Sequence, residues 1–363
     1  MSRATELNDG RSTEGQKSAA PQAKKANLGF GRTFTSHMFV MEWTKDRGWH
    51  SQRIEPYGSL TLDPAAAVLH YGQALFEGLK AFKTRDGRIV MFRPDRHFKR
   101  MKEGAARLVM PEIDSDTVMK WLVELVTKDR NWVPSEPSTA LYIRPTLVAT
   151  EPFLGVRPSE SYLFLIIMSP VEPLYGLTPR PLKLWAETKY VRAAPGGLGA
   201  SKTAANYVAS LAGSVAAKSK GFDQVIWLDA IERKYVEEVG TMNLFAVIDG
   251  ELVTPPLGDT ILPGVTRDSI LTLAKEWGLR ASQRRISLEE IVAADRSAKL
   301  QEIFGCGTAA VLSRVGQLAG DGFDIALPMR DGSYAQRFYD AITNVQYGLA
   351  PDTHGWLKEV RQG

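Results

Sequence analysis

The sequence predicts an α/β chain of two lobes, and three observations predict it. Strand-like and helix-like stretches alternate along almost the whole body. The length of 363 residues exceeds what one ordinary core fills. A breaker-rich stretch, PVEPLYGLTPRP at 170–181, divides the chain near its middle. Residues 28–170 are therefore expected to form a smaller N-terminal α/β domain, 171–181 an interdomain linker and 182–363 a larger C-terminal domain. The Ser/Ala/Lys/Gln-rich tail at 1–27 is expected to be disordered.

In chain order, Arg32–Trp43 and Arg53–Leu62 alternate enough to be strands. His70–Thr84 mixes aromatic and β-branched character around two glycines, and Arg88–Phe92 resumes as a strand. From Pro94 to Met110, the residues Phe98, Met101, Ala105 and Leu108 recur at spacings of three and four. Pro94 suits the first helical position, so this is an amphipathic helix. A second helix covers about 115–130, and Ala140–Ala149 and Tyr162–Met168 read as buried strands. Beyond the linker, Leu182–Tyr190 reads as a strand and Ala204–Lys220 as a helix. That helix carries Tyr207, Val208, Leu211 and Val215 on one face, with Gly221 as its stop. Strands follow at Gln224–Leu228, Tyr235–Val239 and Asn243–Ile248, the last turning at Asp249-Gly250 into Glu251–Thr254. A helix at 266–277, a strand at 281–286, a helix at 288–294, a strand at 299–304 and a C-terminal helix at 334–346 complete the pattern.

Composition excludes several function classes. The pI near 9.0 invites a nucleic-acid reading, but the net charge is only +4 and half of it sits in the tail. No block of like charge occurs in the body, so no nucleic-acid partner is expected. The five histidines are scattered without metal-ligand spacing, so no metal is expected. The longest apolar stretch, Tyr162–Met168, is too short to cross a bilayer. The tail has no apolar signal region, and its three acidic residues argue against a transit peptide. With Cys306 as the single cysteine, the expected location is the cytoplasm.

Four segments carry candidate chemistry. Lys202 ends a glycine-rich run, GGLGASK at 196–202, just before a helix. There it meets the positive end of a helix dipole, and a neutral amine is what addition to a carbonyl requires. A solvated loop lysine has the same local spacing. Glu237 and Glu238 lie on opposite faces of a predicted strand, so one of them points inward and needs a partner. A protonated ring nitrogen or a structural salt bridge could supply it. GCGTA at 305–309 and LPGVT at 262–266 are turns with free backbone N–H groups, the second at a helix N-terminus, and either could hold a phosphate.

Together with LHYGQALFEGLKAF (69–82), FRPDRHFKRM (92–101), LYIRPTLVATEPFLGVRP (141–158), EEVGTMN (237–243), LVTPP (252–256), ILPGVTRDSIL (261–271) and FGCGTAAV (304–311), these segments resemble the branched-chain aminotransferases. That family has the D-amino-acid-aminotransferase-like fold of the class IV, fold-type IV enzymes that use pyridoxal 5'-phosphate (PLP). The likeness runs from about Phe30 to Trp356 in the family's order and spacing.

The resemblance implies roles residue by residue. Lys202 would carry the cofactor and move the proton at the substrate Cα. Tyr207 would hold the cofactor's phenolic oxygen and Glu238 its ring nitrogen, with Arg192 close by. Arg100, in the family's RPxxxxxR pattern, would bind the phosphate together with Val265, Thr266 and Thr308. Thr241 and the backbone at Thr308-Ala309 would receive the substrate α-carboxylate. Phe30, Tyr71, Phe76, Lys80 and Tyr142 would line the side-chain pocket, and Arg144 would reach the second carboxylate of glutamate. The resemblance also implies a homodimer and, as substrates, amino acids and 2-oxo acids.

Three positions depart from the family pattern. Ala204-Ala205 replace a usual Gly-Gly before Asn206-Tyr207, and two methyls there are expected to tilt the helix or narrow the site. Leu174-Tyr175-Gly176 replaces an aromatic pair and Gly-Gly in the linker. Ala310 and Ser313 stand where some relatives have a CxxC, which leaves Cys306 as a small turn residue. The alternatives are another class IV enzyme (a D-amino-acid or (R)-amine transaminase, or an aminodeoxychorismate lyase) and a non-enzyme that kept the fold. The wording of 69–82 and 237–243 disfavours the first, and the intact Lys202, Tyr207, Arg100 and Glu238 disfavour the second.

Overall fold

The computed structural model describes residues 29–172 and 180–361. The tail at 1–27 and most of the expected linker, with Leu174-Tyr175-Gly176, lie outside the described residues. The first lobe holds β1 (His37–Thr44), β2 (Gly48–Pro56), α1 (Ala67–Tyr71), β3 (Ala74–Phe76), β4 (Leu79–Lys83), β5 (Ile89–Phe92), α2 (Pro94–Arg107), α3 (Ser115–Lys128), β6 (Ala140–Ala149) and β7 (Ser161–Val171). The rest of the chain holds β8 (Leu182–Glu187), α4 (Ala204–Ala209), α5 (Leu211–Ser219), β9 (Gln224–Leu228), β10 (Val236–Val239), β11 (Met242–Ile248), β12 (Glu251–Thr254) and α6 (Val265–Glu276). After these come β13 (Ala281–Gln283), α7 (Leu288–Arg296), β14 (Leu300–Gly307), β15 (Val311–Gly320), β16 (Phe323–Ala326), α8 (Tyr334–Gln346) and β17 (Leu357–Glu359).

The first sheet runs β17-β5-β4-β6-β7-β1-β2, with β3 also paired to β6. Its helices bury apolar stripes beneath it. On α2, Pro94 occupies the first turn as expected, and Phe98, Met101 and Ala105 enter the core with Leu75 and Leu122. Full burial of Phe98 and Met101 contributes roughly 1.5–3 kcal/mol each. The second sheet runs β10-β9-β8-β15-β14-β11-β12-β13, and β10 also pairs with β11. Six strands thus close on themselves, leaving those strands no free edge. Along β11 the side chains alternate: Leu244 and Ala246 join one core, Phe245 and Val247 another. The second core includes Phe304 and Phe338 together with Phe82 and Phe92 of the first sheet, so the two sheets share buried apolar surface.

Several boundaries differ from the sequence reading. Lys45–Arg47 form the turn of a β1–β2 hairpin in which Trp43 faces Trp49. The second strand therefore starts earlier than alternation suggests and ends by Pro56. The helix expected over 204–220 is two helices, broken where the Ser210 hydroxyl donates to Tyr207 O at 2.7 Å. Its expected apolar face is outward: Val208, Leu211 and Val215 are exposed, while Gly213 lies against the Trp227 ring. Strands β15 and β16 have no counterpart in the sequence reading, and β17 leaves the C-terminal part of the chain to pair with β5.

Candidate active site

The site lies where the glycine run before α4 meets the first sheet. Asn206 fastens that run from inside the helix, its Nδ2 donating to Leu198 O at 2.6 Å and Ser201 O at 2.7 Å. The Lys202 carbonyl accepts from the Phe76 N–H at 3.0 Å, and Thr203 Oγ1 donates to Ala74 O at 2.8 Å, so the first lobe also grips the lysine's backbone. The Lys202 amine then donates to Tyr207 Oη at 2.6 Å. Ala204 and Ala205 are exposed and do not line the cavity, so the expected narrowing does not occur.

A buried carboxylate closes one end. Glu238 Oε1 accepts from Leu262 N at 2.9 Å and Asn243 Nδ2 at 3.3 Å, while Oε2 faces Arg192 Nε at 3.2 Å. Burial pushes the Glu238 pKa up, and Arg192 and the Leu262 N–H oppose that shift. Alternation suggested one inward glutamate, yet Glu237 is buried too and accepts from Thr260 Oγ1 at 2.5 Å. The pairing of β10 with β9 shifts register between Val236 and Val239, which disturbs simple alternation.

The other end is built for an anion. Helix α6 starts at Val265 behind Gly264, which has no side chain to cap it, so the first N–H groups stay open toward the cavity. A Cβ at Gly264 would collide with the Asn243 side chain, so only glycine fits. Arg100 approaches from α2, its Nη1 donating to Pro263 O at 3.0 Å. Its Nε and Nη2 hold both oxygens of Glu77, at 2.7 and 2.9 Å, and His97 Nδ1 lies 3.1 Å from the same carboxylate. Burial favours the neutral acid, but Arg100 and His97 outweigh it and hold Glu77 well below the usual carboxylate range. Burial likewise lowers His97.

Between the ends, Phe30 meets Tyr142 edge-on at 4.9 Å and Phe76 leans on Tyr207 at 4.9 Å. The Arg144 guanidinium lies 4.7 Å from the Phe76 ring centre, and its Nη2 donates to Tyr142 Oη at 2.9 Å. The Arg144 Nε is buried without a hydrogen-bond partner. Gly78 gives Tyr142 its room, since a Cβ there would strike the phenol.

A cavity of about 220 Å3 gathers every residue proposed from the sequence except three. Arg192 lines a small adjoining void beside Glu238, Tyr207 and Thr241. Tyr71 is 44% exposed on the outer surface, where its hydroxyl bonds the Leu154 carbonyl, so it does not line this chain's pocket. Lys80 does not line it either, because it lies behind the turn at 308–309 with Nζ donating to Ala309 O at 2.8 Å. Cys306 is a buried strand residue of β14, not a turn residue, and burial raises its thiol pKa. Sequence reasoning did not single out Glu77, His97, Asn206 or Asn243. The signal available was a basic pair, His97 and Arg100, on the buried face of α2. An open trough of about 1300 Å3 beside α3 and β17 is larger but holds none of these residues.

The family model for amino-transferase class IV matches residues 74–318. Branched-chain-amino-acid aminotransferase 2 of Bacillus subtilis (strain 168) is 47% identical over 341 residues, 94% of this chain and 94% of that one. Branched-chain-amino-acid transaminase 1 of the same organism is 48% identical over 337 residues, 92% of this chain and 95% of its own. Among solved structures, the Escherichia coli branched-chain amino acid aminotransferase superposes with a TM-score of 0.75 at 26% identity, covering 90% of this chain and 100% of that one. The T.th. branched-chain amino acid aminotransferase with pyridoxamine 5'-phosphate gives 0.72 at 25% identity, covering 90% and 99%.

Proposed function

Because the chain belongs to the class IV aminotransferases, in their branched-chain branch, we propose that it exchanges an amino group between L-leucine, L-isoleucine or L-valine and 2-oxoglutarate, reversibly. One observation carries the substrate reading: an aromatic wall of Phe30, Phe76 and Tyr142 stands beside the Arg144 guanidinium, in the cavity that holds the Lys202 amine. The wall suits aliphatic side chains, and the cation suits the distal carboxylate of glutamate.

The family's cofactor is PLP, and the residues fit it. A buried carboxylate stands at one end of the cavity, an uncapped helix N-terminus with a buried arginine at the other, and a lysine amine between them. When bound, PLP supplies an electron sink for the carbanion formed at the substrate Cα. Glu238 keeps a proton at the ring nitrogen, Tyr207 holds the phenolic oxygen, and Lys202 moves the proton at Cα. Arg192, with Nε 3.2 Å from Glu238 Oε2, opposes the upward shift that burial gives the Glu238 carboxyl. Arg100, with Val265, Thr266 and Thr308, binds the phosphate. Thr241 and the Ala309 backbone orient the α-carboxylate.

The working unit is a homodimer. Support comes from exposed apolar residues: Val208 at 69% on α4, Leu211 and Val215 on α5, and Leu154 and Val156 (87%) in the segment whose Leu154 carbonyl meets the Tyr71 hydroxyl. Such surface calls for a partner, and a two-fold assembly is the commonest one. No helix among the described residues is long and apolar enough to cross a membrane, and the single cysteine supports a cytoplasmic setting. A panel of L-amino acids with 2-oxoglutarate as acceptor tests the function. Leu, Ile and Val should lead it, and a panel led by D-alanine or by an (R)-amine would replace this reading.

A further inference from the structure

Lys80 is a buried cation without a part in the proton transfers at the substrate Cα. It sits on β4 at 7% exposure, between Leu79 and Ala81, which face the core. Its Nζ donates to Ala309 O at 2.8 Å, and among the described residues no carboxylate stands within ion-pairing distance of it. Burial alone pushes its pKa down to about 8, with no opposing charge to raise it. A buried ammonium without a counter-ion is unfavourable, and a chain keeps one where something else supplies the charge.

The void beside Lys80 points to the source. It is about 10 Å3, room for one water, and its lining includes His97, Thr266, Thr308 and Gln346. The Gln346 Oε1 is buried there without a partner. Thr266 and Thr308 also line the main cavity at its anion end, so Lys80 looks onto the phosphate subsite from behind. The charges that line the cavity at that end do not balance a phosphate, and Arg267 of α6 is turned away from it to Pro255 O and Gln283 Oε1. Arg100 is neutralised by Glu77, and the helix terminus offers only about half a charge. A phosphate monoester brings nearly two negative charges.

We propose that Lys80 is the buried counter-charge of the cofactor phosphate, acting from behind the turn at 308–309, and that it is not a lining residue of the side-chain pocket. Lys80 and the Arg100–Glu77 pair then divide the work: the pair shapes the subsite and Lys80 balances its charge.

The proposal rests on the aminotransferase reading, but its test needs no turnover, so a failed substrate panel leaves the test intact. The full chain, stripped of cofactor, is titrated with PLP, with unphosphorylated pyridoxal and with inorganic phosphate. Lys80→Met should weaken PLP and inorganic phosphate roughly tenfold to hundredfold, the span for loss of one charged partner. Pyridoxal should change by less than about threefold, and Lys80→Arg should restore phosphate affinity. The stripped Lys80→Met protein should melt no lower than the parent, since it loses an unpaired buried charge. Equal losses for PLP and pyridoxal would mean that Lys80 only props the turn, and unchanged PLP affinity would equally overturn the idea. If the methionine variant does not fold, Lys80→Gln is measured by the same titrations against the same outcomes.

Discussion

The anion end of the cavity and its mouth use the same residue types in opposite ways. At the anion end every charge is buried and braced: Glu77 holds Arg100 by two hydrogen bonds, His97 supports the carboxylate, and Pro263 O fixes the remaining guanidinium edge. At the mouth, Thr241 is exposed beside the aromatic wall of Phe30, Phe76 and Tyr142. Arg144 lies between these extremes, held by one phenol and two ring faces, with its Nε unpaired. The constant part of the ligand thus meets parts fixed within one chain. The variable part meets surface that the chain alone leaves open.

That contrast can be broken by substitution, and the largest effect should come from the centre. Lys202→Ala should abolish turnover with every substrate while the protein still binds PLP; borohydride fixation at another lysine would refute the assignment. Glu238→Gln should lower kcat roughly 10²–10⁴-fold, the range for a positioned acid–base group, with a smaller change in PLP affinity. Glu237→Gln should do much less, and the reverse order would show the assignment of the two glutamates to be wrong. Glu77→Gln leaves Arg100 buried and unpaired, which should cost about 3–5 kcal/mol of stability, read by chemical denaturation. Glu77 titrates lower in the native state than in the unfolded chain. Its contribution is therefore full above the ordinary carboxylate range and fades as pH falls below it.

The smallest effect should be the selective one. Arg144→Met should weaken the glutamate half-reaction by roughly 1.5–3 kcal/mol, the scale of one charge-assisted hydrogen bond, and leave the leucine half-reaction nearly intact. Single-turnover spectra of the two halves separate them. Equal losses in both would remove the distinction between a fixed end and a selective mouth.

The sequence made most of the site legible because its residues sit in short motifs whose backbone geometry is local: a glycine run before a helix, an uncapped helix start, a turn after a strand. What it hid are the partners. Glu77 and Arg100 lie 23 residues apart, and Arg100 and Pro263 163 apart. Such pairs leave no periodic trace. Tyr71 and Lys80 were placed by resemblance alone, and each points elsewhere in this chain. The break at Ser210 escaped periodicity because a hydroxyl-to-carbonyl bond competes with the helix ladder. The exposed stripe on α4 and α5 shows the limit of amphipathic reasoning, since it finds an apolar face but not what covers it.

The return of β17 to the first sheet makes the two lobes hard to separate as pieces. Leu357 pairs with Phe92 and Glu359 with Val90, while α8, just before it, packs against β14 and β15. A fragment ending at residue 171 would lack this strand and present β5 as a bare edge, open to pairing with other chains. A split version would do better to cut an exposed turn such as Lys45–Arg47, which leaves β5 and β17 on the same piece.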